Sequence, residues 1–336
     1  MIAIARAIDM DCKILVLDEP TSSLDEDEVQ KLFGLMRELK SRGVGIIFVT
    51  HFLDQVYEIS DRITVLRNGQ FIGEYEAEKL PQLDLVSKMM GKALDAVADV
   101  HTQEPVLEDD SVPVLEATAL SSAAGVQPFD FRIRKGEVNG FAGLLGSGRS
   151  ESVRAIFAAD KVTGGEVRVH GKRVKLTKPL RAMKHGIGYL PEDRKGDGLI
   201  AELSVRENII LALQVMKGFF RPLSRRQAEA FADEFIAALK IKTPTSSTPI
   251  ESLSGGNQQK ILIARSFAEN PSVMVLNDPA RGIDVGAKLD LYRNLKDFAA
   301  RGNGVVFLSS EIEEFADLCS RVLVFRGGVI SSEFSS

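Results

Sequence analysis

Four histidines and two cysteines in 336 residues leave little from which to build a metal centre, and none of them falls at metal-ligand spacing. Cys12 and Cys319 sit in unrelated contexts, so the sequence predicts two buried thiols of a cytoplasmic protein and no disulfide. No apolar run approaches the ~20 residues that span a bilayer. The first residues follow a helical Ile-Ala-Ile-Ala-Arg pattern and not that of a secretory signal, so any membrane link is expected to come through a partner. Positive charge is not in excess: 42 Lys and Arg against 47 Asp and Glu leave a net charge of −5 with no basic block, which argues against a nucleic-acid partner. Disorder is also excluded, because 44% hydrophobic content supplies ordinary cores and the length allows two or three domains.

What the chain does contain is a copy of part of itself. Leu15-Val16-Leu17-Asp18-Glu19-Pro20 returns as Met274-Val275-Leu276-Asn277-Asp278-Pro279, a constant offset of 259 residues. At that offset Asp25 meets Asp284, Arg42-Gly43 meets Arg301-Gly302, Phe48 meets Phe307, Arg62 meets Arg321 and Gly69 meets Gly328, without a gap. Two copies of one domain are therefore predicted. Met1 corresponds to Lys260, so about two thirds of the first copy, the part matching residues 114–259, has no counterpart in this sequence.

The pattern sets the boundaries. Residues 14–17 and 44–50 read as buried parallel strands, with a helix over 27–40 that places Val29, Leu32, Phe33, Met36 and Leu39 on one face. Residues 63–75 read as a hairpin turning at Arg67-Asn68-Gly69. Residues 1–92 are thus the C-terminal part of a first domain, and the acidic, proline-bounded stretch 93–113 is a linker. Residues 114–336 are a second, complete domain, with a helical subdomain over about 190–268 that Pro222 interrupts.

Gly143-Leu144-Leu145-Gly146-Ser147-Gly148-Arg149-Ser150 follows a predicted strand and precedes a helix, the context of a phosphate-binding loop. Glycines let backbone N–H groups converge on phosphate, the helix N-terminus favours the anion, and Ser150 offers a hydroxyl to Mg²⁺. The usual lysine is Arg149, which keeps the charge in a bulkier, forked form. In the first copy Asp18 is placed to hold Mg²⁺ through water and Glu19 to act as general base on the attacking water. In the second, Asn277 supplies no charge and Asp278 is one methylene shorter. His51 becomes Ser310, and Glu192 stands where such domains usually carry Gln. These four losses predict a second site that binds nucleotide and scarcely hydrolyses it.

Leu253-Ser254-Gly255-Gly256-Asn257-Gln258-Gln259 resembles the signature motif of ATP-binding cassette (ABC) proteins, in company with the phosphate loop and the Asp-Glu-Pro strand end. The runs 143–151, Pro191-Glu192-Asp193-Arg194-Lys195 and 281–288 resemble the second cassette of the tandem ATP-binding subunits of bacterial monosaccharide importers, the ribose, galactose and xylose type. Residues 49–57 and 64–69 are most similar to the galactofuranose branch. The resemblance implies an α/β, P-loop NTPase fold with a helical subdomain, plus the C-terminal part of a truncated cassette. It also implies ATP and Mg²⁺ as ligands, bound by Gly143, Gly146, Ser147, Gly148, Arg149, Ser150, Glu151, Glu192, Leu253, Ser254, Gly255, Gly256 and Gln258. Metal contacts would come from Asp18, Ser150 and Asp278, and catalysis from Glu19 and His51. In that family two cassettes pack head to tail, so Ser254, Gly255 and Gly256 would face the first cassette's ATP.

The implied role is energy coupling at the cytoplasmic face of the inner membrane. The implied partners are transmembrane permease subunits, a periplasmic sugar-binding protein, and a second cassette formed by the missing part of the first or by another copy. Met1 falls where the family's first signature often ends in Met, which suggests an internal start or a truncated gene. Two alternatives stand beside this role: a non-hydrolysing nucleotide-binding scaffold, and a soluble tandem cassette of the translation or repair type. The short acidic linker and the loss of the second glutamate weigh against the latter.

Overall fold

A computed structural model describes residues 12–21, 24, 26–50, 52–67, 69–90, 112–144, 146–218, 220–283 and 285–335. His51, the Asp25 and Asp284 pair, Leu145 and most of the expected linker lie outside the described residues. The chain forms two compact units, residues 1–99 with 284–286, and residues 100–283 with 287–336.

In the first unit, β1 (Ile14–Asp18) pairs in parallel with β2 (Gly45–Val49), and α1 (Glu26–Ser41) connects them. The apolar stripe of α1 lies where its periodicity puts it, with Val29, Leu32, Phe33, Met36 and Leu39 all buried against Leu15 and Leu17. After α2 (Leu53–Ile59), β3 (Arg62–Arg67) and β4 (Gln70–Glu76) form the expected hairpin, and α3 (Gln82–Met90) ends the described part.

The second unit is built on two sheets. One is antiparallel, in the order β6 (Phe129–Ile133), β5 (Leu115–Ser122), β8 (Val162–Val169), β9 (Lys172–Val174). The other has six strands in the order β10 (Ile187–Leu190), β11 (Val273–Asn277), β12 (Gly304–Leu308), β7 (Val138–Ala142), β13 (Arg321–Arg326), β14 (Val329–Ser335), parallel except for β14 at the edge. Strand alternation splits the core in two. Val273, Val275, Val306 and Leu308 point into a cluster with Phe129, Phe131 and Ile156 of α4 (Arg149–Ile156). Met274, Leu276, Val305 and Phe307 point the other way, toward Leu291, Tyr292 and Leu295 of α9 (Val285–Ala300) and Phe315 of α10 (Ile312–Leu318).

Inserted after α5 (Pro179–Lys184) and β10 are α6 (Val205–Lys217), α7 (Arg225–Ala238) and α8 (Gly255–Ala268). Ile209, Ala232, Ile250, Ile261 and Ala264 give this insertion its own core. Capping boxes open α6 at Ser204 with Glu207 and α7 at Ser224 with Gln227. Pro222 lies in the break between these two helices.

The repeat survives in detail. Ile14 pairs with Gly45 as Val273 pairs with Gly304, and the hairpin bulge at Val65/Leu66 returns at Val324/Phe325. Burial is where the copies part. Both strands of the second copy are buried on both faces, whereas β1 and β2, which the sequence predicts to be buried, are covered on one face only, and in β2 only partly. Ile14, Val16, Ile47 and Val49 are 66%, 61%, 54% and 47% exposed, while their repeat partners Val273, Val275, Val306 and Leu308 are fully buried. The cause is packing: those four partners all join the cluster supplied by residues 114–187, the stretch without a counterpart in the first copy. Both cysteines are free and half-buried, short of the full burial that the sequence suggests. Burial nonetheless pushes the Cys319 thiol well up.

Candidate functional site

Four strands of the parallel sheet end at one edge, and the loops leaving their C-terminal ends carry the sequence motifs. β7 delivers residues 143–150, β10 delivers Glu192, β11 delivers Asn277 and Asp278, and β12 delivers Ser309 and Ser310.

The loop after β7 needs its glycines. Gly143 has φ +150°, and a methyl group there would sit 2.4 Å from Ser147 Oγ and 2.8 Å from the Phe325 carbonyl oxygen. Gly148, at φ +99°, leads into α4, and a methyl group on it would meet Gly328 Cα at 2.7 Å. That glycine lies in the β13–β14 turn and holds the loop from the far side, its N–H donating to Ser147 O at 2.8 Å. The turn's part in the site was visible in the sequence only as the pairing of Gly69 with Gly328. Ser147 Oγ is buried with no protein partner, an orphaned polar atom within the loop.

Arg149 is only 5% exposed, folded inward. Its Nη1 donates to Ser309 O, and its Nη2 lies 3.4 Å from Asp278 Oδ2. Asp278 Oδ1 accepts from Ser310 N at 2.8 Å. Both oxygens of Asp278 are therefore engaged, which leaves it as the loop cation's counter-charge. Burial pushes its carboxyl above the usual range, with Arg149 opposing and Glu192 adding to the rise. Ser150 Oγ donates to Glu192 Oε2 at 3.2 Å, and Glu192 Oε1 lies 3.8 Å from Arg281 Nη1. Glu151 occupies the first turn of α4.

These groups suit a hard cation in part. Ser150 Oγ, the Glu192 carboxylate and the buried, unpartnered Asn277 Oδ1 are oxygen donors of the kind Mg²⁺ takes alongside water. No cluster of three or more His, Cys, Asp or Glu suited to a metal occurs among the described residues.

The acid positions share a backbone. Glu19 and Asp278 are both non-glycine residues at positive φ, +44° and +48°, and their N–H groups donate to Val49 O and Leu308 O at 2.8 and 3.1 Å. The strained turn is kept in both copies although the side chain changes. Asp18 and Glu19 are exposed, and Thr21 Oγ1 donates to Gln55 Oε1 at 2.7 Å beside them.

The second constellation opens α8. Leu253 precedes Ser254, which is the N-cap, and Ser254 Oγ accepts from Asn257 Nδ2 at 2.9 Å. Gln258 turns inward, its amide donating to Ile250 O and Leu253 O at 3.2 and 3.1 Å, so it shapes the turn. Gly256 lies against the backbone of Gly282 and Ile283. Two arginines unassigned by sequence reasoning also belong here. Arg194 donates to Gly255 O at 2.9 Å, and Arg265 donates to Gly198 O at 2.5 Å. Arg194 stands within a motif, whereas nothing in the sequence marks Arg265.

Residues 126–281 match the family described as ABC transporter. The chain is 48% identical over 326 residues to the galactofuranose transporter ATP-binding protein YtfR of Escherichia coli (strain K12), covering 97% of this chain and 65% of that protein. It is 43% identical over 328 residues to the fructose import ATP-binding protein FruK of Bifidobacterium longum (strain NCC 2705), covering 97% and 64%. With the ribose import ATP-binding protein RbsA of Hahella chejuensis (strain KCTC 2396) it shares 41% over 330 residues, 98% and 65%. It thus spans just under two thirds of the length of these relatives. Among solved structures, the dimeric bacterial ABC transporter cassette MJ0796 superposes with a TM-score of 0.58 at 22% identity, covering 66% of this chain and 98% of that one. At that identity the likeness is one of fold.

Proposed function

Because the chain belongs to the ABC transporter ATP-binding family, we propose that it serves as the energy-coupling part of a monosaccharide importer, with galactofuranose, the sugar named for its 48%-identical relative YtfR, as the candidate substrate. It would work with transmembrane permease subunits and a periplasmic sugar-binding protein, at the cytoplasmic face of the inner membrane. No described helix is long and apolar enough to cross a membrane, so attachment would be through the permease.

The observation that carries the mechanism is the Arg149–Asp278 pair. A general base must present a free carboxylate to water. Asp278 is short, buried and paired with the loop's own cation, so the site at residues 143–150 binds ATP and turns it over poorly. Ser150 and Glu192 would hold Mg²⁺, which when bound neutralises phosphate charge. The working site would use Asp18 for the metal, Glu19 as base and His51 as the bridge between base and transferring phosphoryl. Ser254, Gly255 and Gly256 would close that site from the opposing cassette. Its phosphate loop and the other signature would come from a further cassette segment or another copy. A non-hydrolysing scaffold is the second reading, favoured by the same neutralised Asp278.

ATP binding measured beside steady-state hydrolysis tests this, with Arg149→Ala as control. The expected outcome is binding without turnover, weakened at least about tenfold in the control, in keeping with ~1.4 kcal/mol or more from a charge-assisted phosphate contact. Turnover that depends on Glu19 would show instead that a complete first site forms.

A further inference from the structure

Net charge hides a local excess. Between Glu166 and Glu192 the sequence carries seven Lys and Arg and no Asp or Glu, although the whole chain has a net charge of −5. These cations alternate with apolar residues, so no long run of adjacent basic residues marks them. The even spread of charge expected from the sequence does not hold here.

Packing explains the alternation. Val174 of the edge strand β9 and Leu176 beyond it pack into the cluster that holds Phe129 and Ile156, which turns Arg173 and Lys175 to solvent. In α5, Ala182 and Met183 enter the same cluster and leave Arg181 and Lys184, three residues apart, exposed. Arg168 and Arg173 are both paired with Glu166, at 2.9 and 3.2 Å. Lys172, Lys175, Lys178, Arg181 and Lys184 are exposed and have no acidic partner among the described residues.

Folding does not account for all of them. A lysine at the open edge of a sheet blocks strand-to-strand pairing, which suffices for Lys172. Lys178 is the N-cap of α5, makes no capping hydrogen bond, and sets a cation at the helix end that favours anions.

We infer that residues 172–184 are a docking surface for an anionic phospholipid bilayer, with the lysines and arginines meeting headgroup phosphates. Each cation close to such a surface adds about fivefold to partitioning. A flat bilayer meets one side of the molecule, and at about 0.1 M salt charges more than about 10 Å away are screened, so the chain's net negative charge does not prevent docking. Nucleic acid fits less well. Tyr189, the single Phe, Tyr or Trp between Glu166 and Glu192, stacks on Phe157 with ring centroids 4.9 Å apart, which leaves no aromatic ring in this stretch to receive a base. The choice of a membrane rests on the importer reading, which puts the chain at the inner membrane, and this contact is direct, additional to the permease.

Cosedimentation of the full chain with vesicles tests this, using about 30% phosphatidylglycerol in phosphatidylcholine at about 0.1 M salt. The parent is expected to bind, to be released at about 0.5 M salt, and to bind phosphatidylcholine alone at least about tenfold less. Lys175→Gln, Lys178→Gln and Arg181→Gln together should weaken binding at least about tenfold. The matched triple Lys217→Gln, Arg221→Gln and Arg226→Gln, which removes the same charge from exposed positions in the helical insertion, should stay within about twofold of the parent. Lys178→Ser separates docking from folding: it supplies an ordinary N-cap, so the melting temperature should hold or rise while vesicle binding falls about fivefold. Equal binding to phosphatidylcholine alone would assign adsorption to the bare face of β1 and β2, and an equal loss in both triples would assign it to charge in general; either overturns the proposal. Binding to duplex DNA in place of vesicles would make nucleic acid the partner and overturn it as well. Vesicle binding requires neither ATP turnover nor sugar uptake, so a chain that docks on lipid and fails in import would overturn the importer reading alone.

Discussion

Asp278 and Glu19 occupy one strained backbone conformation in two copies of a turn, so their chemical difference lies in the side chain and its neighbours. The shorter acid is drawn into an ion pair with Arg149, and burial raises its pKa. The loss of Glu at this position was legible in the sequence. The partner that neutralises its replacement was not, since Arg149 and Asp278 are distant in the chain and meet only through the sheet. Glu269 makes a similar point. Burial raises its carboxyl to about 8, Arg265 only partly opposes this, and Oε2 has no protein partner. The folded chain keeps a proton there that the unfolded chain loses above the ordinary Glu value of 4.5, so stability falls from that pH up to about 8 and is level beyond. Glu269→Gln is expected to remove this slope, raising the melting temperature relative to the parent by more than about 2 °C at pH 8.5 and little at pH 5. Equal shifts at both pH values would show that Glu269 is ionised in the fold.

Among the elements, β1 and β2 show what a strand owes to its neighbours. Periodicity placed the stripe of α1 correctly because a helix face is a local property. An apolar strand gives no such statement about its second face, since burial there depends on a layer supplied elsewhere in the chain. Val16→Lys is therefore expected to change stability by no more than about 0.5 kcal/mol. The same change at the repeat partner, Val275→Lys, buries an unpaired ammonium and should exceed about 4 kcal/mol, as urea melts of the two variants would show. Residues 1–92 expressed alone should bind a hydrophobic dye and melt without cooperativity, because the small core under α1 covers one face of the two strands and leaves the other apolar face bare. A sharp melt of that fragment would contradict this.

For the whole molecule, the assignment of two unequal sites ranks two substitutions. On the proposed importer role, Ser254→Arg should abolish sugar uptake by an assembled transporter, because it places a long cation on the turn proposed to meet phosphate. Asp278→Ala should leave most of it, having removed an acid that acts as a counter-charge. Uptake assays in which Asp278→Ala is the more damaging would reverse the roles of the two sites.

The sequence by itself determined the family resemblance, the duplication with its offset of 259 residues, the glycine-rich loop at 143–150, the motif at 253–259 and the replacement of Asp18-Glu19 by Asn277-Asp278 in the second copy. Each of these is a short run whose chemistry depends on adjacent residues. Only the tertiary structure decided that Arg149 is held by Asp278 and Ser309 O, that Gly328 backs the phosphate loop, that one face of β1 and β2 is bare, and that Arg194 and Arg265 lock residues 194–198 to α8. Those contacts join residues far apart in the chain, and long-range packing fixes them where neither periodicity nor spacing records it.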